Sequence, residues 1–269
     1  MSGVSAVAAA PAWAVRHCLV TGGARGIGLA VTQALLATGA RVTVLGRSAV
    51  AADQLRALAG SEEAAAHLQA VAADVADPAA VARAFAQAGE RFGSIDTLVN
   101  NAGQAHSAPF MKMDMPLWQQ MLAVNLTGTM VCTQAALPAM LAAGWGRVVN
   151  VASTAAQRGY AYVSGYVAAK HGVLGLTRAL ALELATKGIT INAVCPGYTE
   201  TDLLKDSIAN IVAKTGRSEA EARAQLASGN PQRRLVQPQE VASAVLWLCQ
   251  GDAAAVTGQD ISISGGEVM

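Results

Sequence analysis

Aromatic residues are scarce in this 269-residue chain, three Phe, four Tyr and four Trp making up 4% of it. A core short of rings must be filled by other apolar side chains. Hydrophobic residues reach 53%, so that core is aliphatic and alanine-rich, which suits helices packed closely on a sheet. Charge is also sparse, at 14%. Nineteen basic and 18 acidic residues leave a net charge of +1 with no basic run, so neither nucleic acid nor a membrane surface is indicated as a partner. Cys18, Cys132, Cys195 and Cys249 are scattered, without a C-x-x-C or a Cys/His cluster. That pattern reads as buried free thiols in a reducing, cytoplasmic compartment. No apolar run approaches the ~20 residues of a membrane span. Residues 1–15 are apolar, but no basic residue precedes the apolar part and Pro11 interrupts it, unlike a secretory signal. Residues 1–14 are expected to be a disordered leader.

What is present is an alternation. Strand-like runs are expected at His17–Thr21, Arg41–Leu45, Leu68–Val75, Ile95–Asn100, Arg147–Ala152, Ile189–Cys195 and Asp260–Ser264. Helices are expected at Leu29–Thr38, Pro78–Phe92, Pro116–Ala143, Ser164–Thr186 and Pro238–Gln250. Near-continuous aliphatic strands separated by helices predict a parallel sheet covered on both faces. The fold class is therefore α/β, a Rossmann-like doubly wound sheet of about seven strands. Its ligands bind at the carboxyl ends of the strands. No linker-like tract divides the chain, so residues 15–269 are read as one domain. Residues 202–234 are polar and helical in pattern and sit where a substrate lid would be, or form a solvated helix pair.

Tyr166 and Lys170 lie four apart in a helical segment, on one face. A lysine held near a phenol favours the phenolate and lowers its pKa from about 10. The tyrosine can then exchange a proton near neutral pH. Thr21-Gly22-Gly23-Ala24-Arg25-Gly26-Ile27-Gly28 follows a strand and opens a helix. Glycines let the backbone approach a pyrophosphate, and the helix N-terminus supplies open N–H groups. The spacing is T-G-x-x-x-G-x-G, not the commoner G-x-G-x-x-G.

These motifs continue in order with Asp74, with Asn100-Asn101-Ala102-Gly103, and with Asn125. Ser153 follows, 13 residues before Tyr166, and then the Pro196-Gly197 turn with Thr201. From about Val15 to Gly266 the chain resembles the short-chain dehydrogenase/reductase family in its single-domain branch. The resemblance implies that Tyr166 exchanges a proton with a substrate oxygen while Lys170 tunes it and binds the nicotinamide ribose. Ser153 would polarise the carbonyl. Asn125 would kink its helix and hold a water that links Lys170 to solvent. The cofactor would lie against Gly22, Ala24, Arg25, Gly26, Ile27 and Gly28, and against Asp74, Val75, Asn101, Ala102, Gly103, Pro196, Gly197 and Thr201. Asp74 would accept from the adenine, Asn101 line the adenosine ribose and Thr201 meet the carboxamide. The hydride chemistry belongs to the cofactor, so no metal is needed. Long helices near 116–143 and 164–186, with the C-terminal strand, would build a homotetramer.

NAD-preferring relatives usually carry an acid where Gly46 stands. Here Arg47 follows it and Arg25 lies in the Gly-rich turn, which favours NADP(H), with NAD(H) possible. None of His17, His67, His106 and His171 has a partner at metal or triad spacing, although His106 falls near the substrate mouth. The resemblance implies a small-molecule ketone or alcohol as substrate. The chain resembles both 3-oxoacyl thioester reductases and 3-hydroxybutyrate dehydrogenases. Thr154, Ala155, Ala156 and Val163 stand where free-acid dehydrogenases carry polar and basic residues, so a 3-oxoacyl thioester or another hydrophobic ketone is favoured. Arg233 and Arg234 would meet the phosphates of a thioester or be solvated. Gln104, Tyr160, Tyr198, Met111, Met113 and Met115 are candidate pocket lining, although a methionine cluster is more often core. The alternatives are an NAD-dependent hydroxybutyrate-like or other secondary alcohol dehydrogenase, a non-catalytic nucleotide-sensing protein, and a lyase or epimerase on the same fold.

Overall fold

The computed structural model describes residues 13–269, apart from the side chains at 203, 206 and 210. Seven parallel strands form one sheet: β1 (His17–Thr21), β2 (Arg41–Gly46), β3 (Leu68–Ala72), β4 (Thr97–Asn100), β5 (Gly146–Val151), β6 (Ile189–Pro196) and β7 (Asp260–Ile263). Their order is β3-β2-β1-β4-β5-β6-β7. Alternation along each strand feeds two cores. In β1, Cys18 and Val20 face one way and Leu19 the other.

The first face is covered by α1 (Gly26–Ala37) and α10 (Pro238–Leu248), through Val31, Leu35, Val241 and Val245. The opposite face carries α4 (Pro78–Phe92) and α6 (Gly128–Ala143), through Val81, Ala84, Val131 and Met140. Beside them α7 (Ser164–Glu183) sets Val173 and Leu174 against Ala193 and Cys195 of β6. Two short helices, α2 (Ala52–Ala59) and α3 (Glu62–Ala66), lie between β2 and β3, where no element was expected. They contain no fully buried residue and rest on the core only through partly buried side chains such as Leu55 and Leu58.

The long helix expected over Pro116–Ala143 is broken. It runs as α5 (Met115–Leu122), a π-helical turn (Ala123–Thr127) and α6. Asn125 causes the break: its Nδ2 donates to the Met121 carbonyl at 3.0 Å, four residues back, and disturbs the helical ladder there. The 29-residue stretch Met115–Ala143 is also long and apolar enough to cross a membrane by length and composition. This corrects the expectation that no run comes near that length. Met121, Cys132, Ala136 and Met140 of this stretch are buried inside the protein.

Most of the expected leader falls outside the described residues. Its last two residues, Trp13 and Ala14, belong to a 3-10 turn (Trp13–Val15). Trp13 packs on the core and stands 4.6 Å from the Arg16 guanidinium, so folded structure begins earlier than residue 15.

The segment after β6 folds as α8 (Asp202–Thr215) and α9 (Glu219–Ser228) around Leu204, Ile208, Ala222 and Leu235. Its two ends are pinned together. Thr199 and Val236 form a parallel bridge. Val236 N donates to the Tyr198 carbonyl and Glu200 N to the Val236 carbonyl, both at 2.9 Å. An Arg223–Glu200 ion pair ties α9 to that base.

Candidate active site

The strand order reverses beside β1, between the branches that lead to β2 and to β4, and a crevice is expected there at the carboxyl ends. The Gly-rich turn fills this place. Gly22 has φ +65°, and its N–H donates to the Leu45 carbonyl at 2.7 Å. Leu29 N is bonded back to Arg25 at 3.1 Å, and the N–H groups of Gly26, Ile27 and Gly28 precede it in the first turn of α1. Such a terminus suits an anion. A Cβ on Gly28 would sit 2.2 Å from the Gly22 oxygen and 2.5 Å from Asn101 Nδ2, so no side chain fits there. The cradle therefore fits the pyrophosphate of a dinucleotide.

Two side chains brace the turn. Thr21 Oγ1 accepts from Asn101 N and Ala102 N, each at 2.9 Å. Asn101 Nδ2 donates to the Thr21 and Gly22 carbonyls at 2.9 and 3.2 Å. Asn101, expected to line a ribose, is thus also a strut, and the bracing hydroxyl of Thr21 was not anticipated. Asp74 is exposed and its Oδ1 accepts from Ala76 N at 2.9 Å. Asp77, not Asp74, caps α4, accepting from Ala79 N at 2.9 Å and Ala80 N at 3.1 Å. Val75 is buried where Gly128 approaches it. Pro196 ends β6, Gly197 N donates to Ile263 at 3.1 Å, and Thr201 packs on Gly26. Arg25 and Arg47 are exposed, and neither has an ion-pair partner among the described residues. A Cβ on Gly46 would meet nothing within 4 Å. A cavity of about 430 Å³ lined by Gly26, Leu29, Glu200, Thr201 and Lys205 adjoins this region, but Ser153, Tyr166 and Lys170 do not line it.

The residues expected to handle a proton lie beyond the turn. Lys170 is buried, and its Nζ donates to the Val151 carbonyl at 2.8 Å. Burial pushes its pKa down to about 8. Burial also holds the Tyr166 phenol above its ordinary value, and a hydrogen bond from Ser153 draws it partly back. The Lys170 ammonium stands 5.7 Å from the centroid of the phenol ring. Asn125 is fully buried, with Nδ2 donating to the Gln104 carbonyl at 2.9 Å and Oδ1 accepting from Gln104 N at 3.1 Å. Gly103 sits against it, where a Cβ would be 2.9 Å from Asn125 Oδ1 and 3.8 Å from Lys170 Nζ.

A hydroxyl cluster that sequence reasoning did not find lies next to Ser153 in the chain, at Thr154 and Tyr160. Tyr160 Oη lies 2.8 Å from Thr154 Oγ1 and 2.5 Å from Glu267 Oε1. Its single proton goes to the carboxylate, and the threonine hydroxyl donates to it. Tyr198 meets the Tyr160 ring edge-on at 6.4 Å. Among the methionines, Met111 and Met115 are exposed and only Met113 packs inward, toward Gly165, so the cluster is not core. Arg234 is held by Glu240 at 2.7 and 2.6 Å, and Arg233 donates to the Ser228 carbonyl at 3.0 Å. Both guanidiniums thus have partners within the protein. His17 bridges the Gly93 carbonyl and Thr43, His67 meets the Gly39 carbonyl and His171 the Val167 carbonyl, while His106 is exposed. Among the described residues no group of three His, Cys, Asp or Glu side chains is placed to hold a metal.

Three comparisons agree with this geometry. The family model described as short chain dehydrogenase matches residues 16–211. A granaticin polyketide synthase putative ketoacyl reductase of Streptomyces violaceoruber is 39% identical over 92% of this chain and 91% of its own. A D-beta-hydroxybutyrate dehydrogenase of Rhizobium meliloti is 35% identical over 93% and 98%. A solved structure of an actinorhodin polyketide ketoreductase variant with NADPH superposes with a TM-score of 0.88 at 38% identity, covering 94% of this chain and 97% of that one. The chain belongs to the short-chain dehydrogenase/reductase family of NAD(P)-dependent oxidoreductases.

Proposed function

We propose that this protein is an NADP(H)-dependent oxidoreductase that interconverts a ketone and a secondary alcohol, with a 3-oxoacyl or 3-hydroxyacyl thioester or another hydrophobic ketone as substrate. The observation that carries the reading is the Ser153–Tyr166 hydroxyl pair, set beside buried Lys170 and next to the Gly-rich cradle. A nicotinamide bound in the crevice would supply the hydride in reduction and accept it in oxidation. Tyr166 gives its proton to the substrate oxygen in reduction and takes it back in oxidation. Ser153 donates a hydrogen bond where negative charge develops on that oxygen. Lys170, with its pKa near 8, can hold or release a proton close to neutral pH. Asn125 fixes the Gln104 backbone on the Gly103 side.

Arg25 in the Gly-rich turn and Arg47 after β2, neither ion-paired among the described residues, and the missing acid at Gly46 support NADP(H), and the solved relative carries NADPH. The hydroxybutyrate dehydrogenase relative supports the second reading, an NAD-dependent secondary alcohol dehydrogenase. The α8–α9 unit is proposed as the substrate lid. A homotetramer is proposed on the exposed apolar residues Met130, Leu141 and Leu182 of α6 and α7, and sedimentation would test it. The four cysteines are free and buried, which supports a reducing, cytoplasmic compartment. Assaying ketones, 3-oxoacyl thioesters and alcohols in parallel with NADPH and NADH tests the whole reading. A strong NADH preference would overturn the cofactor assignment.

A further inference from the structure

The C-terminal residues bring a carboxylate to the catalytic end of the sheet. Beyond β7 the chain reverses at Gly265 and Gly266, with φ of +61° and +92°. The reversal is locked on both sides. Val268 N donates to Ser264 Oγ at 3.3 Å. A Cβ on Gly265 would come within 2.1 Å of Asn230 Oδ1, so glycine leaves room for the Asn230 side chain against the turn.

The turn lays Glu267 against the loop that follows β6. Its Oε2 lies 3.0 Å from where a Cβ on Gly197 would stand, and its Oε1 is 2.5 Å from Tyr160 Oη. Its hydrogen-bond partner Tyr160 also meets Thr154, the residue that follows Ser153 in the chain. Tyr198 meets the Tyr160 ring edge-on at 6.4 Å, and its phenol is raised by burial and then by the Glu267 charge while Arg158 draws it partly back. Glu267 has no ion-pair partner among the described residues. Arg158 lies 4.7 Å over the Tyr160 ring and donates to the Glu267 backbone carbonyl at 3.4 Å.

We propose that Glu267 is a specificity-determining residue. Its carboxylate, held by Tyr160 at the same end of the sheet as Ser153 and Tyr166, disfavours ketones that carry a carboxylate near the reacting carbonyl. The site is left to neutral ketones, esters and thioesters. The inference rests on the proposed ketone reduction at Ser153 and Tyr166 and narrows its substrate class. Like charges that share a partly dry cleft repel, and salt screens that repulsion.

The test uses the full chain with saturating NADPH and two substrates of matched size, ethyl acetoacetate and acetoacetate. The wild type is expected to favour the ester in kcat/KM. Glu267→Gln, which keeps an acceptor for Tyr160, is expected to narrow that preference about tenfold through the KM for acetoacetate. Raising ionic strength on the wild type should narrow it in the same direction, a reading that does not depend on how the variant folds. A preference that moves less than twofold with both the substitution and salt overturns the proposal. So does a wild type that favours acetoacetate, which would assign anion binding to Arg158. A wild type that reduces no ketone in the panel would instead refute the proposed function.

Discussion

Lys170 lies one helical turn from Tyr166, yet its Nζ donates to the Val151 carbonyl at 2.8 Å and stays 5.7 Å from the phenol ring centroid. The two side chains share a face of α7 but have different partners: the lysine bonds to the end of β5, the tyrosine to Ser153. Tuning of the phenol therefore falls first to burial and Ser153.

That arrangement has a consequence for stability. The pKa of Lys170 falls from an ordinary 10.5 to about 8 on folding, because burial opposes its charge. Between those values the unfolded chain binds more protons than the folded one, so this group's share of stability rises with pH. The cost of burying the charge is fully present below about pH 8 and is relieved toward pH 10.5. Lys170→Met should thus be more stable than wild type at pH 7, by about 1–3 kcal/mol. The Tm difference should shrink as pH rises from 7 to 10. A constant difference across that range would contradict this account of Lys170.

Removing the Ser153 hydroxyl takes away both the donor to the substrate oxygen and the bond that draws the Tyr166 phenol down. Ser153→Ala should lower kcat about 10²–10³-fold. It should also shift the basic limb of the kcat/KM profile to higher pH, because burial then acts on the phenol unopposed. The pH–rate profile of the variant checks both. An unshifted basic limb would mean that Ser153 acts on substrate alone.

Cofactor choice is expected to turn on Gly46. Its surroundings leave room for a side chain, so Gly46→Asp should fold. The new carboxylate would repel a 2′-phosphate and accept from a 2′-hydroxyl. The NADPH-to-NADH ratio of kcat/KM should fall at least tenfold, and Arg47→Ala should lower it further. Direct titration of both nucleotides measures this independently of turnover.

Asn125 holds the π-helical turn and the Gln104 backbone through three hydrogen bonds. Asn125→Ala leaves buried groups unpaired and should cost about 2–4 kcal/mol of stability. Asn125→Asp keeps the acceptor for Gln104 N but loses both donated bonds. Thermal unfolding of the two variants ranks these contributions. Loss below 1 kcal/mol in the alanine variant would show that the turn holds without the amide.

Much of this molecule is legible from its residues alone. Aliphatic runs such as Leu19-Val20 and Val148-Val149 can only be strands buried on both faces, and Pro78 behind the Asp77 cap marks where α4 starts. The Gly-rich turn and the Ser153, Tyr166 and Lys170 spacing are local, so they survive in the sequence. What was hidden depends on contacts between distant segments. The Val151 carbonyl that receives Lys170 lies 19 residues away, and Glu267 reaches Tyr160 across 107 residues through a two-glycine reversal. The π-helical turn was hidden for a different reason, since a helical pattern over 116–143 does not reveal where one amide will displace the ladder. The arginines at 233 and 234 misled because their partners, the Ser228 carbonyl and Glu240, are set by how the end of α9 meets α10.

The most direct measurement is NADPH consumption with a neutral 3-oxoacyl ester or thioester, comparing wild type with Tyr166→Phe alongside the NADPH affinity of each. The account predicts turnover by the wild type, a loss of about 10²–10⁴-fold in the variant, and NADPH affinity held within a few fold. A variant that binds NADPH and turns over as the wild type does would contradict the role given to Tyr166.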